Sequence, residues 1–141
     1  PHEPNCWCSF ISYVALVLAP VLLFPSQPEF SATVLAILAF GDGSAALGGI
    51  LLRGPKLPWN HQKTWAGFVC FLVGSVLPAT VFFWGETTPP VSWATALLFA
   101  GTSALIGDLV ESIPTDINDN IRVGLAVNVT LIVMQTIVIG W

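Results

Sequence analysis

Apolar side chains fall in five long runs, at about Trp7–Phe24, Phe30–Leu52, Trp65–Trp84, Val91–Leu109 and Val123–Trp141. Each approaches the ~20 residues that an α-helix needs to cross the hydrocarbon of a bilayer. The runs are apolar on all faces and lack the strict alternation of barrel strands. The pattern therefore predicts an all-α fold, a polytopic transmembrane helical bundle of about five spans, forming one integral-membrane domain over residues 1–141. Pro20 and Pro78 lie inside runs, where proline is expected to kink or end a helix. Trp7, Trp59, Trp65, Trp84, Trp93 and Trp141 all fall at or near run ends, as interfacial aromatics do.

The connections set the expected topology. Pro25–Glu29 and Gly85–Pro90 are short and carry no Lys or Arg, whereas Arg53–Thr64 holds Arg53, Lys56 and Lys63, and Glu111–Arg122 holds Arg122. With five spans the two longer loops share a side, so every basic residue lies there. The positive-inside rule assigns that side to the cytoplasm, in a bacterial inner membrane or an organelle membrane. The fourth run carries Ala96, Ala100 and Ala104 at four-residue spacing, with Ser103 and Gly107 beside them. Small residues so spaced let helices approach closely, which predicts a central helix with Asp108 facing protein.

Composition supports the membrane assignment and narrows the partners. Charged residues make up 9% of the chain, against about 25% in soluble domains, and the mean hydropathy is +0.81. Four basic residues make no phosphate-tracking stripe, so no nucleic-acid partner is expected. No basic segment precedes the first apolar run, and no cleavable signal peptide is expected. Cys6-Trp7-Cys8 with His2 fits no common zinc spacing and reads as interfacial residues opening a helix. Cys70 reads as a small hydrophobe.

Against this background Asp42 stands out, because a charge near the membrane midplane costs at least ~2.5–3.5 kcal/mol. Gly41-Asp42-Gly43 is expected to interrupt its helix and expose backbone and carboxylate to a polar cavity. Alternatively, Asp42 pairs with Lys56, Lys63 or Arg122 and locks helices together. Asp108 and Glu111 sit three residues apart on one helical face, followed by Asp116, Asn118, Asp119 and Asn120. Carboxylates of this kind, with substrate phosphates, are how Mg²⁺ is held. The Arg53–Trp65 loop adds lysines, the amide of Asn60 and the hydroxyl of Thr64, which suit a polyphosphate; it would also serve as an ordinary orienting basic loop. Carboxylates and lysines on one membrane face suggest metal-assisted phosphoryl or nucleotidyl transfer. The glycine pattern at Gly41–Ala46 lacks a βαβ setting, Lys63-Thr64 has no preceding glycine loop, and Asn128-Val-Thr130 lies inside a span.

Three blocks then occur in order: Phe40-Gly-Asp-Gly-Ser-Ala-Ala-Leu-Gly-Gly49, Lys56-Leu-Pro-Trp-Asn-His-Gln-Lys-Thr-Trp-Ala-Gly67 and Gly107-Asp-Leu-Val-Glu-Ser-Ile-Pro-Thr-Asp-Ile-Asn-Asp-Asn120. Together they resemble the CTP-dependent lipid-alcohol kinases, among them the phytol and dolichol kinases, and more distantly the CDP-diacylglycerol synthases. The resemblance implies an enzyme that moves the γ-phosphoryl group of CTP, with Mg²⁺, to a long-chain isoprenoid alcohol. It implies Asp42, Asp108 and Glu111 as catalytic and metal-holding carboxylates. It further implies Lys56, Asn60, Lys63, Thr64, Asp119, Asn120 and Arg122 as the nucleotide-binding set. Expected partners are the lipid alcohol, the nucleotide, membrane lipids and a second copy in a homodimer. Cytidylyl transfer onto phosphatidate, or a small transporter or membrane subunit, are the alternative readings. The family carries further N-terminal spans with a basic, His-containing segment that has no counterpart between Pro1 and Glu29, so a fragment or a reduced member is expected.

Overall fold

The computed structural model describes residues 6–140. The Cys6-Trp7-Cys8 and His2 group and Trp141 lie wholly or partly outside the described residues and side chains. Among the described residues six α-helices follow one another: α1 (Cys6–Leu23), α2 (Pro28–Ala36), α3 (Asp42–Leu52), α4 (Trp65–Glu86), α5 (Trp93–Ser112) and α6 (Asp119–Met134). A π-helical turn, Ile37–Gly41, joins α2 to α3 in one rod, Pro28–Leu52, and a second, Gln135–Ile139, extends α6. Four rods are long and apolar enough to cross a membrane, Pro28–Leu52, Trp65–Glu86, Trp93–Ser112 and Asp119–Ile139, and α1 contributes a shorter apolar helix. Among the described residues there is no strand, only an isolated antiparallel bridge between Lys56 and Thr64.

Local chemistry explains the boundaries. Pro28 opens α2, where its missing N–H has no intrahelical partner to lose. Thr64, Ser92 and Asn118 cap α4, α5 and α6, each side-chain oxygen accepting a backbone N–H, from Gly67, Thr95 and Asn120. Arg53 ends α3 in the left-handed region, φ 43°, before Gly54-Pro55. Pro20 and Pro78 end nothing at their own positions: both lie inside continuous helices. The expected break at Gly41-Asp42-Gly43 is corrected as well, since the chain there is helical, with a π-turn in place of unwound backbone. Such turns admit one extra residue without leaving backbone groups unpaired.

The core runs through the bundle as Phe30, Val34, Ile37, Phe71, Phe83, Phe99, Val127 and Leu131, all essentially inaccessible. Phe83 and Phe99 stack with ring centroids 4.7 Å apart. The α5 stripe behaves as the sequence predicts: Ala96, Ala100, Ser103, Ala104, Gly107 and Asp108 are all buried. Outward-facing Leu22, Ile50, Val73, Leu77, Leu98 and Ile137 leave an apolar exterior, suited to lipid. Trp59 meets Trp65 edge-to-face at one end of α4, and Trp84 meets Trp93 in the same way at the other. The helical rise puts about 28 Å between Trp65 and Trp84, close to the hydrocarbon thickness, so the pairs form two aromatic belts.

Candidate active site

The loop between α3 and α4 closes as a small hairpin. Leu57 N–H donates to the Lys63 carbonyl (2.9 Å), Trp65 N–H to that of Pro55 (2.9 Å), and Asn60 N–H to that of Leu57 (3.2 Å). The pairing turns Leu57 inward, 1% exposed, and leaves neighbouring Lys56 on the outside. Asn60 ties the hairpin to α5. Its Nδ2 donates to the Ser112 carbonyl at 3.0 Å, while its Oδ1 accepts the Gln62 N–H at 3.0 Å. Trp59 Nε1 donates to Ser112 Oγ at 3.0 Å. A residue expected to bind nucleotide thus spends its side chain on holding the loop in place.

That clamp sets Lys63 over the end of α5. Its ammonium donates to Glu111 Oε1 at 2.5 Å and to Asp119 Oδ2 at 3.2 Å. Arg122 Nη1 donates to Asp119 Oδ1 at 3.2 Å, and Arg122 Nη2 to the carbonyls of Val110 and Ile113. The two basic loops therefore meet at one end of the bundle. Burial pulls the Lys63 ammonium toward neutrality, but the hydrogen bond and charge of Glu111, with those of Asp119, outweigh it and raise its pKa above the ordinary lysine value. The helix-locking role considered for Asp42 falls to Glu111 and Asp119, since no ion pair among the described residues involves Asp42.

Beneath Lys63 lies a cavity of 410 Å³ lined by Asp42, Asp108, Glu111, Lys63, Thr64, Gln62, Ser112 and the apolar Ala45, Ile50, Leu57 and Phe68. Asp108 and Glu111, 3% and 6% exposed, form one wall, and Asp108 Oδ2 has no hydrogen-bond partner. Asp42 stands open to the space, close enough to Lys63 and Asp119 to feel their charge. Its position follows from a tight seam between α3 and α4. A Cβ on Gly41 would stand 2.7 Å from the Phe71 ring, one on Gly74 2.0 Å from Ser44 Oγ, and one on Gly48 2.3 Å from Cys70 Sγ. Without side chains at these positions α4 packs antiparallel along α3, with Thr64 beside Gly49 near the end of α3 and the start of α3 beside Gly74.

The structure thus gathers Asp42, Lys63, Thr64, Asp108 and Glu111 around one cavity. Asp119 and Arg122 stand at its rim in ion pairs. Asn120 lies in the first turn of α6, its N–H bound to Asn118 Oδ1, and Lys56 and His61 face outward, away from the cavity lining. Gln62 and Ser112 were not expected from the sequence, where a loop glutamine and a helix-terminal serine carry no signal of their own. Among the described residues, no three His, Cys, Asp or Glu side chains converge to hold a metal unaided. The donor set still suits Mg²⁺. Asp108 offers an unpartnered buried oxygen and Asp42 an open carboxylate, and Mg²⁺ ordinarily takes one or two carboxylates and completes its shell with phosphate oxygens and water.

Sequence comparison finds relatives of the chain among known proteins. The chain is 36% identical over 121 residues to the probable phytol kinase 1, chloroplastic, of Oryza sativa subsp. japonica, covering 81% of this chain and 38% of that one. It is 33% identical over 119 residues to the probable phytol kinase 2, chloroplastic, of Glycine max, covering 81% and 41%. It is 29% identical over 119 residues to the phytol kinase 1, chloroplastic, of Arabidopsis thaliana, covering 81% and 39%. The chain spans about two-fifths of the length of these curated relatives. No family model matches the chain, and no solved structure matches it at a significant level.

Proposed function

Since the chain belongs to the phytol kinase-like family of lipid-alcohol kinases, we propose that its 410 Å³ cavity is where a nucleotide phosphate meets a membrane-borne alcohol. The observation that carries this reading is the meeting of one lysine with three carboxylates, Asp42, Asp108 and Glu111, at the polar end of an apolar bundle. The nucleotide, read as CTP, enters from the end that bears the basic loops. That end faces the nucleotide-holding compartment, in keeping with the positive-inside rule. The isoprenoid tail, read as phytol or a related polyprenol, lies along the apolar side formed by Ala45, Ile50, Leu57 and Phe68.

An ammonium carries three donors, and Lys63 spends two on Glu111 and Asp119. The third is available to a β- or γ-phosphate oxygen, where it offsets charge that grows as the phosphoryl group moves. The alcohol oxygen attacks the γ-phosphorus, the bond to the β-phosphate oxygen breaks, and CDP leaves. The hydroxyl proton passes to a carboxylate, and Asp108, with an unpartnered oxygen in the cavity, is suited to accept it. Mg²⁺, held by Asp42 with help from Glu111 and from the phosphate oxygens themselves, would supply charge neutralisation on the phosphates.

The test is to incubate the purified protein in detergent with γ-labelled CTP, Mg²⁺ and phytol. Labelled phytyl phosphate and CDP support the assignment, and Asp108→Asn is expected to lower the rate by at least ~100-fold. Release of pyrophosphate when phosphatidate replaces phytol would place the chain with cytidylyl transfer instead. No labelled lipid from the wild type, or undiminished product from Asp108→Asn, overturns the proposal.

A further inference from the structure

At the opposite end of the bundle a second cavity, of 290 Å³, lies between the α1–α2 turn, the α4–α5 loop and the π-turn after α6. Its lining includes Gln27, Glu29, Thr87 and Gln135. Glu29 is 4% exposed and Gln135 8%. Both leave an oxygen without a hydrogen-bond partner, Glu29 Oε2 and Gln135 Oε1, and Gln27 Oε1 is likewise unpartnered. A buried polar atom without a partner is costly, so three around one cavity call for an occupant. All three are acceptors, which requires that the occupant be cationic or donate protons.

Charge decides between these. Glu29 sits in the first turn of α2, where the helix dipole and its own backbone N–H account for part of its carboxylate. No basic residue is near, because Arg53, Lys56, Lys63 and Arg122 all belong to the two loops at the far end. Glu86, at the end of α4, is close enough to add repulsion. Water would satisfy the acceptors, but only a bound cation or a proton compensates this negative charge. Thr87 adds a further oxygen: its hydroxyl proton goes to the Phe83 carbonyl (2.5 Å), leaving the lone pairs free. Gln135 is the first residue of the second π-turn, a feature that often re-aims side chains at functional sites.

We propose that this cavity is a cation site in which Glu29, Gln27 and Gln135 hold a hard divalent ion of the Ca²⁺ type, with Thr87 and water completing the shell. A carboxylate with amide carbonyls and water is an ordinary donor set for Ca²⁺, which tolerates irregular geometry. The ion would tie together the start of α2, the loop after α4 and the end of α6. The 22-residue α4 separates this site from the Lys63 cavity by about 33 Å, so the proposal does not depend on the kinase reading.

The test uses the purified protein in detergent after chelation. Ca²⁺ is expected to raise the unfolding temperature, and Tb³⁺ to show emission sensitised by the Trp84–Trp93 pair at this end. Glu29→Gln and Gln135→Leu should each weaken the apparent affinity by at least roughly tenfold, the lower bound for losing even an outer-shell partner. Lys56→Ala, at the far end and outside both cavities, should leave both signals intact. If Glu29→Gln does not fold, Gln135→Leu carries the same comparison. Absence of any shift or emission in the wild type, or affinity in Gln135→Leu equal to that of the wild type, overturns the proposal.

Discussion

At the scale of single residues the account turns on Lys63. Glu111 is buried and, among the described residues, has this one ammonium as its ion-pair partner. Lys63→Met leaves that carboxylate uncompensated, at an expected cost of about 2 kcal/mol, between the limits for exposed and buried pairs. Adding Glu111→Gln should recover most of the loss, and thermal unfolding of the three variants in detergent checks the cycle. The pH dependence has a definite sign. The folded ammonium titrates above its ordinary value of 10.5, so while Glu111 is ionised the lysine's contribution is complete below that pH and is lost as pH rises through the raised value. Asp42, Asp108 and Glu111 are legible in the sequence because charge interrupts apolar runs. Asn60 is legible only as a polar loop residue. That it clamps the hairpin to the Ser112 carbonyl depends on a contact 52 positions away, which no local pattern encodes. Likewise Lys56 and Lys63 look equivalent in sequence, and only the Lys56–Thr64 bridge separates the outward lysine from the one over the cavity.

At the scale of elements, the α3–α4 seam positions Asp42 against Lys63, and its glycines carry a sharp expectation. A Cβ at Gly74 would meet both Ser44 Oγ (2.0 Å) and Ser44 Cβ (2.5 Å), whereas one at Gly85 would meet nothing within 4 Å. Gly74→Ala should therefore destabilise by roughly 1–3 kcal/mol through overpacking, despite the ~1 kcal/mol that alanine gains in a helix. Gly85→Ala should be neutral or slightly stabilising, as unfolding temperatures of the two variants would show. The spans and the small-residue stripe of α5 follow from hydropathy and spacing. The π-turns do not, because Ile37–Gly41 and Gln135–Ile139 carry no distinctive composition. They arise where packing rather than propensity sets the register. Pro78 fails to end α4 because helix on both sides of it is held by packing against α5, with Phe71, Ala79 and Phe83 all buried.

At the scale of the whole molecule, the bundle has two unlike ends. All four basic residues gather at one, above the Lys63 cavity, while the other presents Glu29 and Glu86 without counter-charge. Aromatic pairs, Trp59–Trp65 and Trp84–Trp93, mark the levels between which apolar side chains face outward. On the proposed reading, this polarity lets a water-soluble phosphate donor and a lipid alcohol meet at a single boundary. The most direct check is amine modification of the purified protein with and without CTP and Mg²⁺, read residue by residue by mass spectrometry. Nucleotide should slow modification of Lys63 and leave outward-facing Lys56 unchanged. Equal modification of Lys63 in both conditions, or protection of Lys56 alone, would contradict the assignment of this cavity as the nucleotide site.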